Sequence, residues 1–137
     1  MRLLLDTHAL LWWLGDNDAL GRQARALIAD PGNAVLVSAA SLWEIVAKVR
    51  VGKLDADIAE IADAIERDGF TWLNIRPTHL AVLAGLPMHP EHRDPFDYML
   101  IAQAIAEDAT FVSEDRNVPR YPARSVPCSD RPARPAR

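Results

Sequence analysis

Short and largely apolar runs are the feature of this sequence that most narrows its possible folds. They occur as "RLLL" at residues 2–5, "AVLV" at 34–37 and "TFVS" at 110–113. Continuous apolar runs of this length, without polar alternation, are typical of strands buried on both faces. Because segments with helical spacing separate them, we predict an α/β fold. Its architecture is a three-layer α/β/α sandwich with a central, mostly parallel sheet.

The segments between these runs supply the predicted helices. Apolar residues recur at helical spacing in five segments, at residues 19–29, 41–52, 58–67, 77–86 and 96–108. A further strand is predicted at 71–75, and "RSVP" at 124–127 is a candidate edge strand. Functional groups in such open sheets gather beyond the carboxyl ends of the strands, so we expect a functional site there.

Length and composition predict one domain and a separate tail. The chain has 137 residues, half of them hydrophobic, which is enough for one core. Residues 116–137 hold six arginines and one acid, and their Pro/Arg-rich end predicts a flexible tail at 125–137 after a domain at 1–124. The lone Cys128 fits a reducing compartment, so we expect a cytoplasmic protein. No apolar run is long enough to predict a membrane span.

Four carboxylates follow predicted strands or begin predicted helices. They are Asp6, Glu44, Asp97 and Asp115. In a parallel sheet these positions share one edge, where unscreened like charges would repel unless a cation lay among them. Hard cations such as Mg²⁺ or Mn²⁺ take oxygen ligands of this kind and can activate water beside a phosphate. Ordinary roles stay open, since Asp6 could cap a following helix and Asp115 could be a turn residue.

Two of the acids near helix starts have competing explanations. Ser41-x-x-Glu44 matches a capping box, in which Glu44 would bind the amide of Ser41. Asp94 precedes a proline, which is typical of an N-cap. Asp97 differs, because it points along the apolar stripe of its helix and so heads the buried face.

The apolar stripe of the helix at 41–52 bears on Glu44 as well. We expect its buried positions to be Leu42, Ile45, Val46 and Val49. Glu44 lies off this stripe, on a face shared with Ala40 and Ala47, which leaves a purely structural role open for it.

Other chemistries have weaker support in the sequence. No phosphate-binding glycine motif is present. His89-x-x-His92 lies in a proline-rich segment without paired cysteines, so we expect exposed polar residues there rather than zinc ligands. An aspartyl-phosphate phosphohydrolase would need a second Asp two residues after Asp6, and this chain has His8 at that position.

Four separated blocks resemble the PIN-domain ribonucleases of the VapC toxin type. The blocks are "LLLDTHALLWWL", "VSAASLWEIVAKVRVGKL", "LPMHPEHRDPFDYMLIAQA" and "TFVSEDRNVPRY", which together span roughly residues 2–121. The resemblance implies a PIN-like fold and a Mg²⁺- or Mn²⁺-dependent endoribonuclease that cuts tRNA, rRNA or mRNA and inhibits translation. It also implies a VapB-like antitoxin as partner and a homodimer.

The resemblance assigns roles to individual residues. Asp6, Glu44, Asp97 and Asp115 match the four catalytic acids. Asp6 and Asp97 would be the direct metal ligands, supported by the other two acids. A metal-bound water would attack the phosphodiester in line and leave a 5′-phosphate and a 3′-hydroxyl.

Further residues of the blocks would orient substrate or water. Thr7 and Ser113 match small hydroxyl positions beside the first and fourth acids. Tyr98 departs from the family pattern, where many relatives carry arginine, and Arg93 or Arg116 would take over that function. The rival hypothesis is an RNA- or partner-binding module with little or no nuclease activity, whose acids are structural.

Overall fold

A single parallel sheet organises the part of the chain that the structure, a computed structural model, describes: residues 1–89, 94–114 and 121–130. Within these residues the strands are β1 (Arg2–Leu5), β2 (Ala34–Ser38), β3 (Thr71–Leu73), β4 (Thr110–Val112) and β5 (Ser125–Val126). Their spatial order is β3-β2-β1-β4-β5, and every neighbouring pair is parallel. The predicted sheet is therefore confirmed, with β1 at its centre.

The helices occupy the segments between the strands. They are α1 (Thr7–Leu14), α2 (Arg22–Ala29), α3 (Ala39–Arg50), α4 (Ile58–Arg67), α5 (Pro77–Ala84) and α6 (Pro95–Ala106). Helix α1 lies outside the five predicted helical segments, because "THALLWWL" is apolar almost throughout and has no one-sided stripe. In the described residues, no helix has both the length and the apolar content needed to cross a membrane.

Side chains on the two faces of the sheet belong to two separate cores. Leu3 and Leu5 of β1 pack in one core with residues of α1, α2, α3 and α4. Leu4 points to the opposite face, where it packs with Leu100 and Ile101 of α6. Because successive strand residues alternate between faces, one uniformly apolar strand contributes to both cores. The result is the predicted three-layer α/β/α arrangement.

The buried face of α3 differs from the predicted stripe. Ile45 is fully buried, but Val46 and Val49 are 37% and 36% exposed. The inward face carries Ser41 and Glu44, both buried. The prediction is confirmed for Ile45 and for Leu42, which packs partly buried against the same core, and wrong for Val46 and Val49. The apolar period alone does not reveal that polar partners on other elements compensate an inward-facing acid.

Residues 125–130 pack against the domain rather than extending from it. Val126 of β5 accepts a hydrogen bond from the amide of Ser113, and Cys128 is fully buried. The carbonyl of Cys128 in turn accepts the amide of Gly21. This part of the predicted flexible tail is thus ordered, while 131–137 lie outside the described residues and the domain limit at residue 124 stays a prediction.

A buried polar chain links the sheet to α5 and α6. The hydroxyl of Ser38 binds Gln103, whose amide lies 3.3 Å from Nδ1 of His79. Nδ1 of His79 accepts the backbone N–H of Arg76, and its Nε2 lies 2.8 Å from Glu107. Since His79 and Gln103 are fully buried, these bonds satisfy polar groups that would otherwise destabilise the fold.

Candidate active site

Asp6 lies directly after β1 and is held by backbone geometry. Its amide donates to the carbonyl of Val112 at 3.0 Å, which places it beside the end of β4. Its carboxylate caps α1 by accepting the backbone N–H of Ala9 at 2.7 Å. Asp6 therefore has the capping role that the sequence left open. The same contact holds its carboxylate at the edge of the sheet, and Asp6 as a residue is only 6% exposed.

The protonation of Asp6 reflects this buried position. Loss of hydration raises the pKa of Asp6 from 3.8 to about 6, and hydrogen bonds from Ala9 and Ser113 oppose that rise. The negative charge of Asp97 raises the pKa of Asp6 further. Asp6 and Asp97, predicted to meet at this edge, are thus close enough to repel each other.

Asp97 enters the site from the first turn of α6. That helix begins at Pro95, and the side chain of Asp94 caps it by accepting the amides of Phe96 and Asp97. Asp94 therefore has the N-cap role predicted for it. The side chain of Asp97 is partly buried, one turn before the fully buried Leu100, so it leads the inward face of α6 as expected.

Glu44 reaches the site from the inward face of α3. One of its oxygens accepts the hydroxyl of Thr7 at 2.6 Å, and the other accepts the ammonium of Lys48 at 2.7 Å. The proposed capping box is wrong, because α3 begins one turn earlier and its N-cap is Ser38. The side-chain oxygen of Ser41 is buried without a hydrogen-bond partner in the described residues.

Of the residues predicted to orient substrate or water, the structure describes Thr7 and Ser113. Thr7 binds Glu44, and Ser113 binds Asp6, so both hydroxyls hold acids of the site. Three other predicted residues, Asp115, Arg93 and Arg116, lie outside the described residues. The catalytic roles assigned to the whole set stay predictions.

Tyr98, which stands in the usual arginine position, belongs to an aromatic group. Its ring meets the ring of Tyr121 edge-on at 5.8 Å, and its hydroxyl accepts the amide of His89 at 3.2 Å. The ring of His89 lies 5.2 Å from that of Tyr121, so His89 is partly buried rather than exposed as predicted. His92 lies outside the described residues.

Lys48 is the residue near the acids that sequence reasoning missed. Its hydrogen bond to Glu44 raises the pKa of Lys48, and the charges of Asp94 and Asp97 act in the same direction. The i, i+4 spacing from Glu44 was the available signal, but such pairs are common on exposed helix faces. Only the burial of Glu44 makes this pair unusual.

The donor set suits a hard divalent cation. Among residues 1–89, 94–114 and 121–130, no group of three or more His, Cys, Asp or Glu is arranged to hold a metal. Magnesium, however, is commonly held by one or two carboxylates and keeps several waters. Asp6 and Asp97 repel each other in a buried setting, and a cation between them would offset that repulsion. The residues present therefore fit such an ion.

Known proteins provide an independent comparison. The sequence model of the PIN domain family matches residues 3–124. No curated protein sequence matches the chain significantly. Among solved structures, the chain is similar to VapBC2 from Rickettsia felis bound to a DNA fragment from their promoter. The sequence identity is 16% and the TM-score 0.67, covering 93% of this chain and 98% of that one, so this likeness concerns the fold.

Proposed function

This chain belongs to the PIN domain family, and on that premise we propose that it is a metal-dependent endoribonuclease acting as the toxin of a toxin–antitoxin pair. One observation carries the nuclease proposal. Asp6, which follows β1 and whose pKa burial raises to about 6, lies within electrostatic reach of Asp97 from a distant part of the chain. Open α/β sheets bind their ligands beyond the carboxyl ends of their strands.

The residues of the proposed site would have different roles. Asp6 and Asp97 would hold Mg²⁺ or Mn²⁺, which when bound would supply a positioned water and stabilise charge on the phosphate. Ser113 and the N–H of Ala9 fix the carboxylate of Asp6. Thr7 fixes the carboxylate of Glu44, so neither acid must reorganise during a reaction.

The remaining predicted residues extend this proposal. Asp115 would complete the acidic set as its fourth member, and Arg93 or Arg116 would contact the RNA backbone. Arginine suits that role because its guanidinium binds phosphate oxygens in a bidentate manner.

The partner proposal draws on the structural neighbour. The Rickettsia felis structure is described as VapBC2 with a promoter DNA fragment. By analogy, we propose a VapB-like antitoxin as the partner of this chain. A homodimer, an RNA substrate (tRNA, rRNA or mRNA) and a cytoplasmic location complete the proposal.

Cleavage of RNA by the antitoxin-free protein tests the nuclease function. Purified protein is incubated with total tRNA in Mg²⁺, and in parallel with EDTA. We expect fragments only with Mg²⁺, because the developing charge on the phosphate otherwise lacks compensation. Asp6→Asn and Asp97→Asn should each lower the cleavage rate at least about a hundredfold, since stabilisation by a bound metal amounts to several kcal/mol.

The control for that experiment is a carboxylate of equal charge outside the site. Asp55→Asn changes an exposed residue before α4 and should cleave as the unaltered chain does. Cleavage that persists in EDTA or in both site variants would overturn the proposed mechanism. Retained RNA binding without any metal-dependent cleavage would favour the rival function, an RNA- or partner-binding module.

A further inference from the structure

The carboxylate of Glu44 is fully engaged within the protein. Its Oε1 accepts the hydroxyl of Thr7 at 2.6 Å, and its Oε2 accepts Nζ of Lys48 at 2.7 Å. The side chain of Glu44 is 5% exposed, whereas that of Lys48 is 40% exposed. Lys48 therefore extends from solvent to a buried negative charge, unlike the exposed i, i+4 pairs that contribute little.

The negative charge of Asp6 is compensated differently from that of Glu44. Asp6 receives hydrogen bonds from Ala9 and Ser113, which are neutral donors. Among charged groups, His8 lowers the pKa of Asp6 and Asp97 raises it. Positive charge from Lys48 thus reaches Glu44 directly and engages the carboxylate oxygen that Thr7 leaves open.

We propose that Lys48 is a positioning residue that serves as the internal counter-ion of Glu44 and thereby competes with a divalent cation for the Glu44 carboxylate. This inference rests on the proposed function of the site. Through its bond to Lys48 and Thr7, Glu44 stays ordered and neutralised while no cation is bound. The ammonium of Lys48 also opposes an incoming dication, because Asp97 lies within its electrostatic reach.

A direction of effect follows from this arrangement. Replacing Lys48 with a neutral residue removes a positive charge beside the cleft and frees one oxygen of Glu44. The affinity for a divalent cation should then rise, by about threefold to tenfold for a unit charge at short range in a partly solvated site. The metal-free protein should melt at a lower temperature, because the charge of Glu44 would remain buried without the ammonium group of Lys48 beside it.

The experiment measures Mn²⁺ binding without RNA and melting in EDTA, on the full chain. The variants are Lys48→Met, Glu44→Gln and the double variant. Lys53 is an exposed lysine just beyond α3, and Lys53→Met is the matched control for the loss of one positive charge. We expect tighter Mn²⁺ binding for K48M only, with K53M within about twofold of the unaltered chain, because exposed charges are largely screened.

The double variant separates a positioning role from a general charge effect. In the Glu44→Gln background, Lys48→Met should no longer lower the melting temperature, because its partner is already neutral. Its gain in Mn²⁺ affinity should be smaller than in the unaltered chain, because only the loss of the ammonium charge still acts. Unchanged or weaker Mn²⁺ binding by K48M would overturn the inference. A gain in affinity that is just as large in the Glu44→Gln background would overturn it too.

Two provisions keep the result decisive. If K48M does not fold, Lys48→Gln removes the same charge and keeps a donor for Glu44, so the same comparison applies. If the unaltered chain binds no Mn²⁺, the proposed metal-dependent function fails, and the melting cycle in EDTA alone decides whether Lys48 and Glu44 are coupled. Absence of RNA cleavage alone contradicts the proposed function and leaves the counter-ion inference to stand on Mn²⁺ binding.

Discussion

Asp6 combines a structural and a chemical role at one position. Its carboxylate caps α1 through the N–H of Ala9 and also faces the charge of Asp97. Capping partly offsets the cost of burying the carboxylate, but the pKa of Asp6 still rises to about 6. The site therefore retains unfavourable charge that stability measurements can detect.

Stability should depend on pH through Asp6. Because its pKa is higher in the folded chain than its ordinary 3.8, the folded state binds the proton more tightly between about pH 4 and 6. The free energy of unfolding therefore falls as pH rises through that window, by up to about 3 kcal/mol from this group. In EDTA, Asp6→Asn should melt at a higher temperature than the unaltered chain at pH 7.5, and the difference should vanish near pH 4.

The matched control for this effect is again Asp55→Asn, which alters an exposed acid. Its melting temperature should follow that of the unaltered chain across the same pH range. A pH-independent difference between Asp6→Asn and the unaltered chain would mean that the buried charge of Asp6 is not its cause.

At the scale of elements, helix starts position the acids. The N-cap of α6 is Asp94, and this cap fixes the first turn from which Asp97 enters the site. The N-cap of α3 is Ser38, so Glu44 lies in the second turn and faces inward. A shift of either start by one residue would rotate its acid by about 100° away from the sheet edge.

Removal of the α6 cap gives an element-scale prediction. Asp94→Ala should lower the free energy of unfolding by about 1 kcal/mol, because the amides of Phe96 and Asp97 lose their acceptor. Asp94→Ser should retain most of the stability, since serine also caps helices well. Urea denaturation measures both variants, and equal losses for Ala and Ser would argue against a capping role.

At the scale of the whole molecule, the last described strand closes the edge of the sheet. β5 pairs with β4, and the buried Cys128 follows it. Burial raises the pKa of the Cys128 thiol, which suits a packing residue rather than a nucleophile. Asp130 also accepts the backbone N–H of Arg22 at the start of α2.

Truncation tests this closure. A chain ending at residue 124 should be less stable than one ending at residue 130, by about 3 kcal/mol or more. The shorter chain loses three backbone hydrogen bonds, those of Ser113, Gly21 and Cys128, together with the buried Cys128 side chain. Thermal melting of the two purified chains measures the difference, and equal melting temperatures would show that β5 contributes nothing to stability.

The parallel sheet and the cap of α6 were predictable from the amino-acid sequence alone. Uniformly apolar runs predicted β1, β2 and β4, because short runs of this kind are typical of strands buried on both faces. Asp94 before a proline identified its helix start, because proline fits the first helical position. Asp6 and Asp97 could be brought to one sheet edge by the same reasoning, although their catalytic roles stay predictions.

The partners that compensate the buried acids, and the packing of residues 125–130, depend on contacts between segments that are distant in sequence. Glu44 faces inward because Thr7, 37 residues away in sequence, binds it together with Lys48. The spacing of apolar residues within α3 cannot indicate such a partner. It predicted that Val46 and Val49 are buried, whereas both are exposed. The candidate edge strand at 124–127 is confirmed by β5, which pairs with β4. The rest of 125–130, predicted as flexible tail, is packed because its contacts, such as that of Cys128 with Gly21, join segments distant in sequence.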